Sequence, residues 1–241
     1  MTPSIPSPPT PTPPIPAAPI PSPIAIDGPA AAGKGTLARA LATHFNFAHL
    51  DTGMLYRHVA YLVLQAGGNP DNEADSLQAV QKLQPFAVDE KSLRTNQIAA
   101  AAAKVAAQPQ LRAKMLDLQR NFATHPPNAK AGAVLEGRDI GTIICPAAPI
   151  KLFITAQVEI RAHRRWLELK QADPSLQEAQ VLAALQARDK KDFSRPVAPL
   201  KQAANALLLD TSNLAIKDVF KAALTLIEQK ALEIQTAQNI D

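Results

Sequence analysis

The 241-residue sequence contains a single cysteine, Cys145, which excludes a fold held together by disulfide bonds. No apolar run reaches the roughly 18 to 20 residues that a helix needs to cross a bilayer. The net charge of +4 comes without a long basic tract or interleaved aromatic residues, which argues against a nucleic acid as partner. We therefore expect a protein of the reducing cytoplasm that acts on neither membranes nor nucleic acids.

The sequence contains enough apolar residues for a substantial core, because 46% of the chain is apolar and 19% is charged. A chain of this length fits one large domain, or one domain with small inserts. The first 23 residues differ in kind, because eleven of them are proline. Proline cannot donate to a hydrogen-bond ladder, so we expect residues 1–23 to form a disordered or polyproline tail outside the fold. The alternative is a ligand for an SH3-type domain.

From residue 24 onward, short apolar runs alternate with helical patterns. The predicted strands are Ile24–Asp27, Ala48–Asp51, Ala133–Glu136, Ile150–Thr155 and Ala206–Asp210. The predicted helices are Lys34–Phe45, Met54–Gln65, Ser76–Leu83, Gln97–Ala107, Pro109–Phe122, Val158–Gln171, Ser175–Ala187 and Ala215–Leu232. Strands separated by helices predict a doubly wound α/β fold with a five-stranded parallel sheet and right-handed crossovers.

Two segments depart from this alternation. Residues 67–130 contain helical and loop-like patterns but no convincing strand, and we interpret them as an insert carried on the 24–241 core domain. Residues 158–187 predict a helical pair that is followed by the basic loop RDKKDFSRP, Arg188–Pro196. We expect the region of about 158–195 to form a mobile helical lid.

The stretch GPAAAGK, Gly28–Lys34, stands between the first strand and the first helix and has the spacing of a phosphate-binding loop. Small residues allow backbone N–H groups to converge on an anion, and the following helix adds its positive N-terminal end. Lys34 can then reach the β- and γ-phosphates as a point charge. The alternative, a plain Gly/Ala turn before a helix, leaves the lysine and its register unexplained.

Four further motifs follow in order. They are LDTGMLYR at Leu50–Arg57, EGRDIGT at Glu136–Thr142, IRAHRRWLEL at Ile160–Leu169 and RDKKDFSRPVAPL at Arg188–Leu200. Together with the GKGT form of the phosphate loop, they resemble the bacterial cytidylate kinases, a family of P-loop nucleoside monophosphate kinases. The resemblance extends from Ile24 to about Leu226.

This resemblance implies phosphoryl transfer from ATP, with Mg²⁺, to CMP or dCMP in a monomeric enzyme. It also implies that the 67–130 insert binds the nucleoside monophosphate. The alternatives are another P-loop small-molecule kinase, acting on UMP, AMP or shikimate, and a non-catalytic nucleotide-binding module. EGRDIGT and SRPVAPL argue against the first alternative. The retained Lys34, Arg57, Arg138, Arg188 and Arg195 argue against the second.

On the donor side, ATP is expected to contact the whole phosphate loop: Gly28, Pro29, Ala30, Ala31, Ala32, Gly33, Lys34, Gly35 and Thr36. Gly35 stands where most such loops carry the magnesium-binding hydroxyl, and Thr36 follows it. We therefore expect Thr36 to contact the metal. By resemblance, Glu136 acts on Mg²⁺ through water.

On the acceptor side, the resemblance implies that seven residues bind the nucleoside monophosphate: Thr52, Arg57, Arg112, Arg138, Asp139, Asp192 and Arg195. Lys34, Arg138, Arg188 and Arg195 are expected to act on the transferring group. From the residues alone, Thr52 is expected to cap a helix, Arg57 could lie on a solvated face, and Asp139 would pair with Arg138 or accept from a base.

Arg161, Arg164 and Arg165 follow one another closely on a predicted helix. Unpaired basic residues repel each other, so such a cluster near a phosphate site has an electrostatic reason. The alternative is a solvated basic face.

Two features depart from the resembled family. FAVDEKSLRT, residues 86–95, stands where many bacterial relatives carry an extra β-hairpin. The cytosine-binding serine of the family falls on Ala103 when residues are counted without gaps from Arg94 to Arg112. The preference among CMP, dCMP and UMP is therefore less firmly predicted than the reaction class.

Overall fold

A computed structural model describes residues 19–83, 88–171 and 173–239. Most of the predicted proline-rich tail, residues 1–18, lies outside the described residues. Five parallel strands form one sheet in the order β2-β3-β1-β4-β5. They are β1 Ile24–Asp27, β2 Ala48–Asp51, β3 Ala133–Gly137, β4 Ile150–Thr155 and β5 Leu207–Asp210. The predicted doubly wound parallel sheet is confirmed, with strand bounds that differ by at most one residue.

Helices flank the sheet and fill the long connection between β2 and β3. They are α1 Lys34–Phe45, α2 Thr52–Gln65, α3 Glu73–Gln81, α4 Glu90–Leu93, α5 Asn96–Val105, α6 Pro109–Thr124, α7 Val158–Lys170, α8 Glu178–Ser194 and α9 Ile216–Gln238. A π-helical turn, Ile140–Ile144, follows β3. As predicted, the described residues between 67 and 130 contain no strand.

The core has one layer on each face of the sheet, because successive strand residues point to opposite sides. Ile24 and Ile26 of β1 belong to a buried cluster with α1 and α9, whereas Ala25 belongs to a cluster with α2, α5 and α6. In the described part of the chain, none of the helices combines the length and apolar character needed to cross a membrane.

The strand order places the binding crevice. The chain leaves β1 toward the β2 edge and leaves β3 toward the β5 edge, so the connections from these two neighbouring strands run in opposite directions. Open α/β sheets bind ligands beyond the carboxyl ends of the strands at such a point. The phosphate loop follows β1 and EGRDIGT follows β3, so both predicted motifs begin at this crevice.

Several predicted helix ends differ from the observed ones, as at α9, which runs to Gln238 and not Leu232. Two corrected boundaries bear on the site and on the extent of the domain. Helix α8 continues to Ser194, so Arg188 and Asp192 lie on a helix and not in the loop we predicted. Arginine, lysine and alanine are good helix formers, and the helix ends only where Pro196 forces Arg195 into an extended conformation. The predicted tail is also too long, because Ile20 packs against the α1/α9 cluster and Ser22 Oγ accepts from the backbone N–H of Ala133 at 2.9 Å.

Candidate active site

The phosphate loop is a tight turn between β1 and α1. Gly28 adopts a φ of 148°, and a Cβ there would lie 1.9 Å from the carbonyl oxygen of Ile154 in β4. Ala31 and Gly33 both have positive φ, at 59° and 86°. The loop therefore turns through left-handed conformations directly before the N-terminus of α1, where its N–H groups can face an anion.

Lys34 is the first residue of α1 and its side chain is buried. Its ammonium group donates a hydrogen bond of 2.7 Å to the carbonyl oxygen of Pro29 within the same loop. Burial, reinforced by the positive charge of Arg138, lowers the pKa of Lys34 to about 7. A bound polyphosphate would favour the charged form of this lysine, so the loop is suited to an anionic ligand.

Asp27 ties the phosphate loop to the segment after β3. Its buried carboxylate accepts hydrogen bonds from the backbone N–H groups of Ile140, at 2.8 Å, and Gly141, at 2.7 Å. The residue that ends β1 thus anchors the π-helical turn that follows Arg138 and Asp139. This contact fixes the two sides of the crevice relative to each other.

Arg138 and Arg188 bring two positive charges to the crevice. Arg138 Nε donates to Asp192 Oδ2 on α8 at 2.7 Å. Although Arg188 keeps contact with solvent, desolvation in the cleft and the charge of Arg138 lower its pKa to about 10. Nε and Nη2 of Arg195 are buried and have no hydrogen-bond partner among the described residues. These groups can accept an anion without first breaking many protein contacts.

Arg112 on α6 and Asp139 form a second, partly buried ion pair, with 2.5 Å between Nη2 and Oδ2. Of the two alternatives for Asp139, pairing with Arg138 is wrong, because Asp139 pairs with Arg112 and Arg138 pairs with Asp192. Acceptance from a base stays a prediction. The ring of Tyr56 lies under Arg112, with 5.8 Å from the guanidinium carbon to the ring centroid. Burial raises the pKa of Tyr56, which keeps its hydroxyl protonated as a donor.

Thr52 does not cap α2 as we predicted. Asp51 is the N-cap residue and accepts from the N–H of Met54, whereas Thr52 is buried and donates to the carbonyl oxygen of Glu136 at 2.8 Å. Asp51 is extended before the helix and satisfies a free N–H group with its carboxylate oxygen, so Thr52 is the first residue of the helix and not its cap. Arg57, one turn further along, donates to the carbonyl oxygen of Leu93 in α4 at 2.8 Å.

Glu136 is a buried carboxylate at the carboxyl end of β3. Its Oε1 lies 3.0 Å from Nε2 of His49, and a Cβ on Gly35 would lie 3.2 Å from the same oxygen. Burial and the neighbouring Glu136 raise the pKa of Asp51, so two carboxylates repel each other beside the loop. Mg²⁺ is commonly held by one or two carboxylates together with substrate phosphates, and this donor set fits it.

The described residues contain no group of three or more His, Cys, Asp or Glu side chains that could hold a metal by themselves. Thr36, the other residue expected at the metal, is exposed on the first turn of α1. A cation at this site would therefore depend on phosphate oxygens for part of its coordination.

The arginines of α7 are not an unpaired basic cluster, so this expectation is wrong. Arg161 is buried and pairs with Asp189, Arg164 donates to the carbonyl oxygens of Thr211, Ser212 and Leu214, and Arg165 pairs with the exposed Glu168. Arg161 binds the phosphate loop at Ala30 and the segment after β4, and Arg164 binds the segment after β5. They act there as hydrogen-bond donors to the backbone.

Similarity to known proteins identifies the family of this chain. A sequence model described as Cytidylate kinase matches residues 24–229. The chain belongs to the cytidylate kinase family. It is 49% identical over 208 residues to the cytidylate kinase of Rhodospirillum rubrum, covering 86% of this chain and 98% of the relative. It is 51% identical to that of Granulibacter bethesdensis, covering 86% and 97% of the two chains. For Azorhizobium caulinodans, the identity is 52%, covering 86% and 98%.

The cytidylate kinase match begins at β1, so the proline-rich segment lies outside the part shared with the family. All the residues that we predicted for the site lie inside the matched range. The structure brings Lys34, Arg138, Arg188 and Asp192 close together and places Arg112 with Asp139, whereas Arg57 faces the backbone of α4.

Sequence reasoning missed three residues of this crevice: Asp27, His49 and Tyr56. Tyr56 lies inside the motif LDTGMLYR, and Asp27 directly precedes the phosphate loop, so their positions were the available signal. His49 carries no motif signal, because its contact with Glu136 joins residues 87 positions apart.

Proposed function

We propose that this chain transfers the terminal phosphoryl group of ATP to CMP or dCMP, giving ADP and CDP or dCDP. The proposal is carried by one observation: the phosphate loop and the Arg138–Asp139 segment meet at a single crevice in a chain of the cytidylate kinase family. Phosphoryl transfer needs positioned cations on both sides of the moving group, and this crevice supplies them.

On the donor side, ATP would lie on the loop from Gly28 to Thr36, with its phosphates facing the loop N–H groups and the start of α1. Lys34 would exchange its hydrogen bond with Pro29 for the β- and γ-phosphates. The nearby Arg188 would neutralise charge that develops on the transferring group. The lowered pKa values of both residues support this role, because each cation is held in a setting that an anion would relieve.

On the acceptor side, Arg57, Arg138 and Arg195 would hold the monophosphate, with Thr52 beside it. Support comes from the two nitrogens of Arg195 that have no partner in the described part of the chain and from the planar guanidinium of Arg138, which suits bidentate contact with phosphate. Asp192 would turn from Arg138 to the sugar hydroxyls when the nucleotide binds.

Arg112 and Asp139 would recognise the cytosine ring, because a guanidinium donates to ring acceptors and a carboxylate accepts from the exocyclic amino group. Their ion pair is already formed, so both are oriented before the base arrives. Tyr56 would support Arg112 from below.

Glu136 and Thr36, with Asp51 beside them, would hold Mg²⁺ together with phosphate oxygens. When bound, the ion neutralises charge on the phosphates and polarises the transferring group. The carboxylate of Glu136 would be oriented for this by its contact with His49.

The chain needs no covalent intermediate and no strong general base, because the phosphate of CMP is already an anionic nucleophile. Catalysis then rests on alignment of the two nucleotides and on charge stabilisation by Lys34 and the arginines. The α7–α8 region, about 158–195, would close over the nucleotides and exclude water. Residues 67–130 would cover the acceptor. We further expect a cytoplasmic monomer.

The test is a coupled assay of ADP release with CMP, dCMP, UMP, AMP and shikimate as acceptors. We expect CMP or dCMP to give the highest kcat/KM, and we expect no rate without Mg²⁺. Lys34→Ala should retain the fold and lose on the order of 10² to 10³ in kcat, as for removal of one oriented donor to the transition state. The exposed Lys190→Ala is the matched control and should retain full activity. A kcat/KM for AMP or UMP at least tenfold above that for CMP would contradict the proposal.

A further inference from the structure

The phosphate loop is packed directly against the α7–α8 region. The buried side chain of Ala30 lies in a small apolar cluster with Ala162 of α7 and with Val181 and Leu185 of α8. Val181, Leu185 and Asp189 are spaced four residues apart, so they share one face of α8. That face of the helix packs in the cluster with the loop through Val181 and Leu185, and it presents Asp189 to Arg161 of α7.

Arg161 joins the three parts of this contact. Its Nη1 donates to the carbonyl oxygen of Ala30 at 3.0 Å, and its Nε donates to that of Ala156, after β4, at 2.8 Å. Its Nη2 donates to Asp189 Oδ2 at 2.6 Å. One guanidinium thus binds the phosphate loop, the end of the central sheet and α8 at once.

In the Arg161–Asp189 pair, Arg161 is buried and Asp189 is largely shielded from solvent, with 5% and 14% of the two side chains exposed. Removing one partner of a buried ion pair strongly destabilises the folded protein, because the remaining charge is left uncompensated. The pair contrasts with Arg165–Glu168 on the same helix, whose side chains are 40% and 64% exposed. Exposed pairs of that kind contribute little.

Asp189 stands between residues assigned to the transfer reaction. It follows Arg188 directly, and Asp192 lies one turn further along α8, where it pairs with Arg138. Helix α8 is thus held by two ion pairs, one to each side of the crevice. The Arg138–Asp192 pair uses groups that the proposed reaction needs for substrate, whereas the backbone partners of Arg161 are not groups that a nucleotide would displace.

We propose that Arg161 and Asp189 form a substrate-independent latch that fixes α8 to the phosphate loop and so positions Arg188 for phosphoryl transfer. Both are positioning residues, and the inference rests on the proposed kinase function. When the α7–α8 region closes over the nucleotides, the latch keeps the N-terminal two thirds of α8 in register with the loop, so that the closing movement is confined to the end of α8, where Asp192 and Arg195 change partners. Loss of the latch should misplace Arg188 and let water reach the γ-phosphate, without removing any group that touches ATP.

The first test is hydrogen–deuterium exchange of the nucleotide-free protein, which needs no activity. Asp189→Asn removes the charge at constant shape, Asp189→Glu retains the charge, and Glu168→Gln is the matched control on α7. We expect Asp189→Asn to raise the exchange rates of the α8 amides about tenfold, with β1 and β4 unchanged. The exchange rates of the α8 amides in Asp189→Glu should lie between those in Asp189→Asn and Glu168→Gln. Those in Glu168→Gln should match the wild type.

The second test is steady-state kinetics with CMP. Asp189→Asn should lower kcat by about tenfold to a hundredfold, since a small misplacement of a group at the transition state can cost that much. Its KM for ATP should stay within about threefold, because Arg161 retains its contact with Ala30. The ratio of ADP released without CMP to ADP released with CMP should rise at least fivefold. Glu168→Gln should change none of these values.

Three results would overturn the latch. The first is an exchange rate of the α8 amides that is the same in Asp189→Asn and Glu168→Gln, and the second is an exchange rate that rises as much in the sheet as in α8. The third is a loss of kcat in Asp189→Glu as large as that in Asp189→Asn. If Asp189→Asn does not fold, Asp189→Glu compared with Glu168→Gln decides the matter by the same two readouts. A wild-type protein inactive toward CMP would overturn the proposed function, whereas the exchange comparison would still test the latch.

Discussion

Among single residues, Asp27 carries the clearest electrostatic cost. Burial, together with the nearby charge of Asp139, raises its pKa from an ordinary 3.8 to about 6, against the effect of its two backbone hydrogen bonds. A carboxylic acid whose folded pKa is raised binds its proton more tightly in the folded state. The free energy of unfolding that Asp27 contributes therefore falls as the pH rises from about 4 to 6, by up to about 3 kcal/mol.

We predict that Asp27→Asn removes this pH dependence. At pH 4 the wild-type carboxyl is protonated and, like the amide, offers one carbonyl acceptor, so the variant should be no more stable than the wild type there. Its stability relative to the wild type should nevertheless improve by about 2 to 3 kcal/mol between pH 4 and pH 7. Urea unfolding of both proteins at the two pH values measures this. An identical stability difference at both values would contradict the raised pKa.

Ala103 lies on an exposed position of α5, so it is not a core residue. If the family's base-binding hydroxyl belongs at this position, Ala103→Ser should raise kcat/KM for CMP about two- to tenfold, which corresponds to a hydrogen bond of roughly 0.5 to 1.5 kcal/mol. The exposed Ala107→Ser serves as control. Discrimination of CMP from UMP should improve, and the KM for ATP should not change. An equal loss of kcat/KM for ATP and for CMP would refute the alignment.

The residues that could be predicted from the sequence are those whose chemistry is carried by local spacing. Lys34 follows from its distance to Gly28, and the order of the motifs indicated Arg138 and Asp192. Their partners could not be predicted, because Asp27 meets Ile140 across 113 positions and Arg161 meets Ala30 across 131. Local patterns do not specify which distant carbonyl or carboxylate a buried arginine will bind.

At the scale of elements, the phosphate loop is where backbone geometry most restricts side chains. Gly28 approaches β4 so closely that any Cβ collides with the backbone of Ile154, whereas a Cβ on Gly33 meets no atom of the described residues within 4 Å. We predict that Gly28→Ala destabilises the protein by more than about 3 kcal/mol, since the loop or the sheet must shift. Gly33→Ala should cost only the left-handed strain of about 1 to 2 kcal/mol. Urea unfolding at pH 7 compares them, and equal losses would contradict the close approach.

Element types were predictable because strands and helices differ in hydrophobic period, whereas some helix ends were not. The α8 helix passes through a basic run that we interpreted as a loop, because charge pattern alone does not distinguish a solvated helix from a loop. The contacts of Asp189 and Asp192 with distant arginines extend the helix to Ser194. The π-helical turn after β3 likewise depends on a distant residue, since Asp27 holds its first two N–H groups.

At the scale of the whole molecule, the boundary of the folded domain lies before β1 and not at it. Ile20 contributes apolar surface to the α1/α9 cluster, and Ser22 provides the acceptor for the first N–H group of β3. From composition, residues 1–23 form one proline-rich segment. Proline content does not reveal that Ile20 and Ser22 within it contact the folded domain. The five residues from Pro19 to Pro23 thus belong to the described structure, and the two kinds of truncation should behave differently.

We predict that deletion of residues 2–18 leaves both Tm and kcat unchanged, because this proline-rich segment offers little apolar surface to bury and precedes the part matched to the cytidylate kinase family. Deletion of residues 2–22 should remove the burial of Ile20 and leave the N–H of Ala133 without its acceptor, at a cost of about 1 to 3 kcal/mol. For a domain of this size, that loss corresponds to a fall in Tm of roughly 2 to 10 °C. The double substitution Ile20→Ala, Ser22→Ala in the full-length chain should reproduce most of this fall. Differential scanning calorimetry of the four proteins measures it, and equal Tm values for the two truncations would show that the domain begins at β1 after all.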